Sequence, residues 1–152
     1  MTEPRPTPGD FRVTMMLCNY ATVSEQILYI SGGGWSYIDS QCGPTAIAMV
    51  VGVPWDQTNR RIDFQLDLRH ADGNPVQRLD SADDVNPVPN IQVRGQLEVG
   101  RPLGLAQGAH VDWPIAIPLP PWRLPPVARL IWHLTLHGVA RHDWTLPFQT
   151  RA

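Results

Sequence analysis

The chain has 152 residues, of which 43% are hydrophobic and 17% are charged, and its formal net charge at pH 7 is −2. A disordered chain has fewer apolar residues, and a nucleic-acid-binding chain usually carries a clustered basic surplus, so this composition predicts an ordinary folded protein with neither property. No apolar stretch approaches the roughly 20 residues that a membrane-spanning helix needs, so we expect no membrane association.

The first predicted element is an N-terminal arm. Residues 1–10 contain three prolines and are predicted to be flexible, ahead of a single domain over residues 11–152. The arm has no apolar stretch after its charged start and does not resemble a signal peptide, so we expect a cytoplasmic protein. In that reducing compartment Cys18 and Cys42 are predicted to be free thiols.

The first third of the chain contains short runs that predict β-strands. Apolar and polar residues alternate over 11–17, a second β-prone run covers 26–30, and Trp35 to Ile38 is interpreted as a third short strand. Three consecutive glycines occupy positions 32–34. Because no helix pattern follows them, we interpret them as a turn or bulge and not as a phosphate-binding loop.

Stronger strand patterns follow in the middle of the chain. Thr45 to Val53 is almost entirely apolar and is bounded by prolines, which predicts a strand buried on both faces, with a helix as the alternative. Residues 61–69 alternate strictly and predict a half-buried strand. The Asp-Gly within Ala71 to Asn74 predicts a hairpin turn, with Pro75 to Leu79 as the returning strand.

The last third continues the same pattern. Alternating runs over 91–98, 113–119 and 144–148 predict three more strands. The proline-dense segment 118–126 is predicted to be extended and exposed.

The segment Val127 to His137 fits both a strand period and a helix period. In a helix, His133 and His137 would be one turn apart and could share a metal ion. In a strand they would be about 13 Å apart, which is too far for one ion. We favour the strand because the rest of the chain has a β pattern, and we therefore expect no metal and no cofactor.

One short segment suggests catalytic chemistry. Gln41-Cys42-Gly43-Pro44 and the residues to Val50 resemble the nucleophile segment of papain-like, double-glycine-type cysteine peptidases. That resemblance implies Cys42 as the nucleophile, Gln41 as an oxyanion donor, and His110 with Asp112 as base and orienting group. We prefer a turn that enters a buried strand with an inert thiol, because the motif is short and Gln41 is adjacent to the cysteine.

A broader resemblance extends over most of the chain. It is carried by the Gly-Gly-Gly-Trp segment 32–35, by Val-Pro-Trp-Asp-Gln-Thr-Asn-Arg at 53–60, and by the proline-rich segment 119–126 before the C-terminal hairpin. These features resemble a family of uncharacterised bacterial proteins known only as a domain of unknown function. The resemblance implies a small cytoplasmic protein and transfers no catalytic residue.

Together these patterns predict an all-β protein, an antiparallel β-sandwich of seven to nine strands that is jelly-roll-like or immunoglobulin-like. We expect a non-enzymatic protein-binding or assembly module, in which an exposed edge strand also allows a homodimer by sheet extension. The alternative is a cysteine hydrolase or acyl transferase that uses Cys42 and His110. Four loop tryptophans are the predicted binding surface, because Trp dominates contact energies, with a place in the core as the alternative for each: Trp35, Trp55, Trp113 and Trp122. Trp132 and Trp144 are expected in the core.

Overall fold

The computed structural model describes residues 11–76 and 91–151. The predicted arm, residues 1–10, and most of the predicted returning strand after Pro75 lie outside these residues. The described chain is built of strands, with one 3₁₀ turn at Trp55–Gln57. The strands, in chain order, are β1 (Arg12–Ser24), β2 (Ile27–Gly33), β3 (Tyr37–Asp39), β4 (Thr45–Val53), β5 (Arg61–His70), β6 (Gln92–Glu98), β7 (Val111–Leu119), β8 (Arg129–Leu136) and β9 (Val139–Arg151).

The strands form two sheets, which confirms the predicted all-β class. The first sheet has the order β2-β1-β4-β7 and is antiparallel throughout. The second has the order β3-β9-β8-β5-β6, and within it β3 runs parallel to β9. Two isolated bridges, Gln41 with Arg123 and Arg69 with Pro75, pair further extended segments, so the extended structure goes beyond the predicted seven to nine strands.

One hydrophobic core takes its side chains from both sheets. From β4, the buried side chains on this side are Ile47, Met49, Val51 and Val53. The opposite face of β4 is also covered, because Ala46 and Ala48 are buried in a second, small cluster with Cys18. The prediction of a strand buried on both faces is therefore confirmed.

The alternation in β5 and β8 is confirmed as well. In β5 the apolar set Ile62, Phe64, Leu66 and Leu68 is buried. In β8, which pairs with both β5 and β9, the inward set is Leu130, Trp132, Leu134 and Leu136. Residues 129–136 are thus a strand, as favoured over the helix, because both of their edges are paired.

The other face of β8 is polar. His133 lies directly opposite Asp67 of β5, and burial lowers the pKa of His133, with a further lowering from the Arg69 guanidinium and an opposing effect from Asp67. Asp67 is itself buried and accepts two hydrogen bonds from Gln65 Nε2, at 2.9 and 3.0 Å. The Asp67 carboxylate is therefore hydrogen-bonded within its own strand.

The proline-dense segment 118–126 is extended at its start, but the prediction that it is exposed is wrong for its leucines. Leu119 and Leu124 are buried, and Trp122 is half-buried with its ring 6.1 Å from that of Trp132. Leu124 is fixed by a backbone hydrogen bond of 2.9 Å to Ser40 O. The segment therefore contributes apolar side chains to the core.

Strand β1 changes partners along its length. It pairs with β4 from Arg12 to Cys18 and with β2 from Cys18 to Ser24. We call residues 18–33 the N-terminal hairpin. Its two-residue turn consists of Glu25 and Gln26, both with positive φ, at 52° and 63°. Two positive φ values are the pattern of a type I′ turn, which normally uses Asn-Gly, so this turn holds two ordinary side chains in a disfavoured conformation.

Candidate functional site

Exposed apolar side chains concentrate on the N-terminal hairpin and the adjoining part of β1. Of the ten large apolar side chains that are exposed among the described residues, six lie here: Met16, Tyr20, Val23, Ile27, Tyr29 and Ile30. Soluble proteins normally scatter such residues singly, and a contiguous group marks an interaction surface. This concentration makes the hairpin the candidate functional site.

The strand register places three of these side chains on one face. Tyr20 lies opposite Ser31, Thr22 opposite Tyr29, and Ser24 opposite Ile27, and directly opposed residues in an antiparallel pair share a face. Tyr20, Ile27 and Tyr29 are 61%, 55% and 53% exposed. We call these three residues the tyrosine face.

The other face of the hairpin turns toward the first sheet. Ala21 and Leu28 lie on it and pack against the small cluster of Cys18, Ala46 and Ala48, whereas Val23 and Ile30 on the same face are exposed. Alanines on the outer side of β4 leave room for this close approach. These contacts support the hairpin on the outer side of β4, and the tyrosine face points away from β4.

The free edge of β2 adds unpaired backbone groups to this surface. Among the described strands, only β1 pairs with β2. A strand edge of this kind can accept an additional strand. The residues of β2 are Ile-Leu-Tyr-Ile-Ser-Gly-Gly, with no charge and no proline to block such pairing.

The other three sheet edges in the described part of the chain are less suited to pairing. Pro114 and Pro118 lie within β7, and proline has no N–H to donate to an added strand and is unfavourable within a sheet. β3 has only three residues, and β6 carries the exposed charges of Arg94 and Glu98. The edge of β2 is thus the one that is long, neutral and free of proline.

The four tryptophans that were predicted as a binding surface do not form one common surface. Trp35 and Trp122 line one small cavity and, like Trp113, pack half-buried against the core. Trp35 contacts Phe148 edge to face, with ring centroids 6.1 Å apart.

The other two tryptophans occupy separate places. Trp113 lines a groove of about 670 Å³ between the N-terminal hairpin, β6 and β7. The Arg101 guanidinium stacks 3.6 Å above the Trp55 ring and also donates to Trp55 O and to Thr58 Oγ1, both at 3.0 Å. Trp55 is therefore engaged within the chain itself.

Sequence reasoning missed the tyrosine face. A signal was present, because residues 18–33 contain a single charged residue, Glu25, and the apolar residues at 27–30 are consecutive and do not alternate. A two-stranded hairpin cannot bury apolar residues on both faces by itself. Consecutive apolar residues beside a hairpin turn therefore indicate an exposed apolar surface.

The residues of the alternative catalytic site lie far apart in the fold. Cys42 lies just before Thr45, which pairs with Leu119, while His110 lies at the other end of the same strand pair, just before Val111. The nine residues of β4 span about 26 Å at 3.3 Å per step. The structure thus does not bring the thiol and the imidazole together, and Cys42 precedes a strand and not a helix.

The remaining two members of that set are divided in the same way, one at each end of β4. Gln41 forms an isolated bridge with Arg123, near Cys42. Asp112 pairs with Gly52 at the His110 end of β4.

Both cysteines are free thiols in apolar surroundings. Cys42 Sγ is half-buried and donates to Trp122 O at 3.4 Å, and Cys18 Sγ is buried and donates to Ala46 O at 3.5 Å. Burial raises the pKa of the Cys42 thiol and also that of the Cys18 thiol, because the thiolate loses hydration. A raised pKa is the opposite of what an activated nucleophile needs.

We expect iodoacetamide to alkylate Cys42 more slowly at pH 7 in the folded chain than in the same chain unfolded in urea. The thiolate is the reacting form, so a raised pKa lowers its population at neutral pH and shifts the rise in rate to higher pH. The measurement is mass spectrometry of labelled peptides over a range of pH, with Cys18 as the internal comparison. Faster labelling of folded Cys42 below pH 7 would contradict this prediction and support the hydrolase.

Within residues 11–76 and 91–151, no helix has the length and apolar character to cross a lipid bilayer. Searched over the same residues, His, Cys, Asp and Glu form no group of three that could bind a metal ion.

Comparisons of the chain with family models, with curated proteins and with solved structures give no match, so the resemblance to an uncharacterised bacterial family stays a prediction.

Proposed function

We propose that this chain is a non-enzymatic β-sandwich protein of the cytoplasm that binds other protein chains through its N-terminal hairpin. The observation that carries this proposal is the tyrosine face, three exposed side chains beside the neutral edge of β2, which has no partner on that side among the described strands. The jelly-roll-like or immunoglobulin-like arrangement is part of the proposal. It is supported by two sheets that share one apolar core.

The composition of the tyrosine face suits protein recognition. Tyrosine supplies a large rigid ring with a hydroxyl group, and it is enriched in protein interfaces and in their energetic hot spots. A hairpin with one charged residue, Glu25, has little to offer a polyanion. Its natural partner is therefore an apolar, strand-forming protein segment.

Rigid support of the hairpin favours binding as well. Leu28 and Ala21 anchor its inner face to β4 through Ala46 and Ala48. A surface that is ordered before binding loses less conformational entropy when the partner docks.

The proposal is tested by replacing Tyr20 with the photo-crosslinking amino acid benzoylphenylalanine in cells of the native host. The matched control carries the same residue at Leu103, a fully exposed apolar position outside the hairpin. We expect crosslinked protein products from position 20 and none from position 103. Equal crosslinking at both positions, or none at position 20, would overturn the proposal.

A second variant in the same experiment combines Tyr29→Ser with Ile27→Ser. Loss of two interface anchors should reduce crosslinking from position 20 by about tenfold or more, since hot-spot residues contribute at least about 2 kcal/mol each. Unchanged crosslinking would show that the tyrosine face is not the contact surface.

A further inference from the structure

We infer that the partner of the N-terminal hairpin is a second copy of this chain, added antiparallel along the free edge of β2 about a two-fold axis at Tyr29. The inference rests on the proposed function, because it uses the same hairpin, and it adds the identity of the partner and the register of the pairing.

The turn determines which backbone groups of β2 face outward. A two-residue turn is closed by a hydrogen-bonded pair, here Ser24 with Ile27, and such pairs then recur at every second position. Tyr29 and Ser31 therefore direct their N–H and C=O groups toward β1. Leu28 and Ile30 direct theirs toward the free edge.

Two outward residues define a self-complementary register. With the two-fold axis at Tyr29, Leu28 pairs with the partner's Ile30, and Ile30 pairs with the partner's Leu28. Each pair exchanges two backbone hydrogen bonds, which gives four in total. A register centred on Ile30 would instead need Gly32, whose φ of 63° departs from the extended conformation of a paired strand.

The side chains fit the register centred on Tyr29. Tyr29 would lie opposite the partner's Tyr29 in a non-hydrogen-bonded pair, where Cβ atoms are about 4.5–5.5 Å apart and aromatic pairs are favourable. Ile27 would lie opposite the partner's Ser31. The two tyrosine faces would then join into one continuous surface across the dimer.

Charge also favours a second copy. Strand β2 is uncharged, so two copies meet without like-charge repulsion, and a charged partner would find no opposite charge along the strand. Glu25 lies in the turn, beyond the Ile27 end of β2, and the two Ile27 positions would already be about 13 Å apart, so the two Glu25 side chains would be separated by more than the screening length at physiological salt. The proline-interrupted β7, the short β3 and the charged β6 leave β2 as the edge for this pairing among the described strands.

The test is sedimentation equilibrium of the purified full chain, with Ile30→Pro and the matched control Ile30→Thr. Proline removes an N–H that points to the free edge and leaves the bonds to β1 intact, whereas threonine keeps the N–H and shortens the side chain. We expect a concentration-dependent dimer for the wild type and for Ile30→Thr, and dimerisation at least tenfold weaker for Ile30→Pro. Far-UV circular dichroism should show the same β content in all three.

A second measurement does not depend on the folding of the proline variant. Tyr29→Cys should form an intermolecular disulfide under mild oxidation, because Cα atoms in a non-hydrogen-bonded pair are about 4.5 Å apart, within disulfide range. Ser24→Cys is the control, because it is also exposed on the hairpin, but it lies on β1 opposite Ile27 and would be about 20 Å from its counterpart across the axis.

The outcomes separate the two proposals. A monomeric wild type at all concentrations, a dimer that Ile30→Pro leaves unchanged, or equal crosslinking of both cysteine variants would each overturn self-pairing. If photo-crosslinks from position 20 then contain a protein other than this chain, the proposed binding function stands and only the second copy is rejected.

Discussion

Replacing Trp132 by alanine is expected to lower the free energy of unfolding by about 3–5 kcal/mol, the usual cost of deleting a large aromatic side chain from a core. Trp132 is 1% exposed and lies in β8, which is paired on both sides. Its ring also supports Trp122, so the cavity left by alanine would remove packing from both sheet and loop. Urea denaturation followed by far-UV circular dichroism measures the change.

Trp55→Ala is the matched control for this substitution. Trp55 lies outside the core cluster, and its main ring contact is the Arg101 guanidinium 3.6 Å away. Losing an accessible cation–π contact costs about 0.5–1 kcal/mol, so this variant should unfold close to the wild type. Similar losses for both variants would contradict the assignment of Trp132 to the core.

Replacing Gly95 by alanine is expected to destabilise the fold by about 1–3 kcal/mol, the range for overpacking. Gly95 in β6 lies opposite Phe64 in β5, and a Cβ at this position would lie 2.5 Å from the end of the Phe64 ring. The Phe64 ring packs over Gly95, an arrangement in which an aromatic side chain covers a glycine on the neighbouring strand. Alanine would force the ring out of this position.

A double-mutant cycle shows whether the loss of stability comes from the contact with Phe64 or from any substitution in β6. Combining Gly95→Ala with Phe64→Leu should recover part of the loss, because the smaller side chain leaves space for the added methyl group. Gly100→Ala is the control, because nothing lies within 4 Å of its Cβ position and its φ is not positive, so its effect should stay within about 0.5 kcal/mol. Strictly additive effects of the two substitutions would argue against the predicted clash.

Much of the fold could be predicted because side-chain periodicity reports burial directly. Residues 61–69 alternate, and Ile62 to Leu68 are buried at every second position. Thr45 to Val53 has apolar residues at successive positions, and β4 is buried on both sides by the core and by the hairpin. Trp132 and Trp144 are in the core, as predicted.

The candidate site could not be predicted in the same way, because exposure depends on which strands are neighbours. The loop tryptophans were predicted as a binding surface, with the core as the alternative, and Trp35 and Trp122 pack onto a core formed by distant strands. Tyr20 and Tyr29 are exposed because they lie on the face of the hairpin that points away from β4.

The hairpin turn was missed for a local reason. Turn prediction relies on glycine, asparagine and aspartate, which adopt positive φ at low cost, whereas Glu25 and Gln26 adopt it only because the flanking strands are paired. The sequence also does not predict the distance between Cys42 and His110, because that distance depends on the antiparallel pairing of β4 with β7.

The parallel pairing of β3 with β9 has a consequence for the order of folding. Asp39 and Arg151, which are 112 residues apart in sequence, meet there through a 3.0 Å contact between the Arg151 guanidinium and the Asp39 carboxylate. Closing so long a loop costs more entropy than three paired residues regain, so β3 should dock only after β8 and β9 have already assembled. During synthesis, residues 37–39 therefore remain without their β9 partner until residues 149–151 have been added.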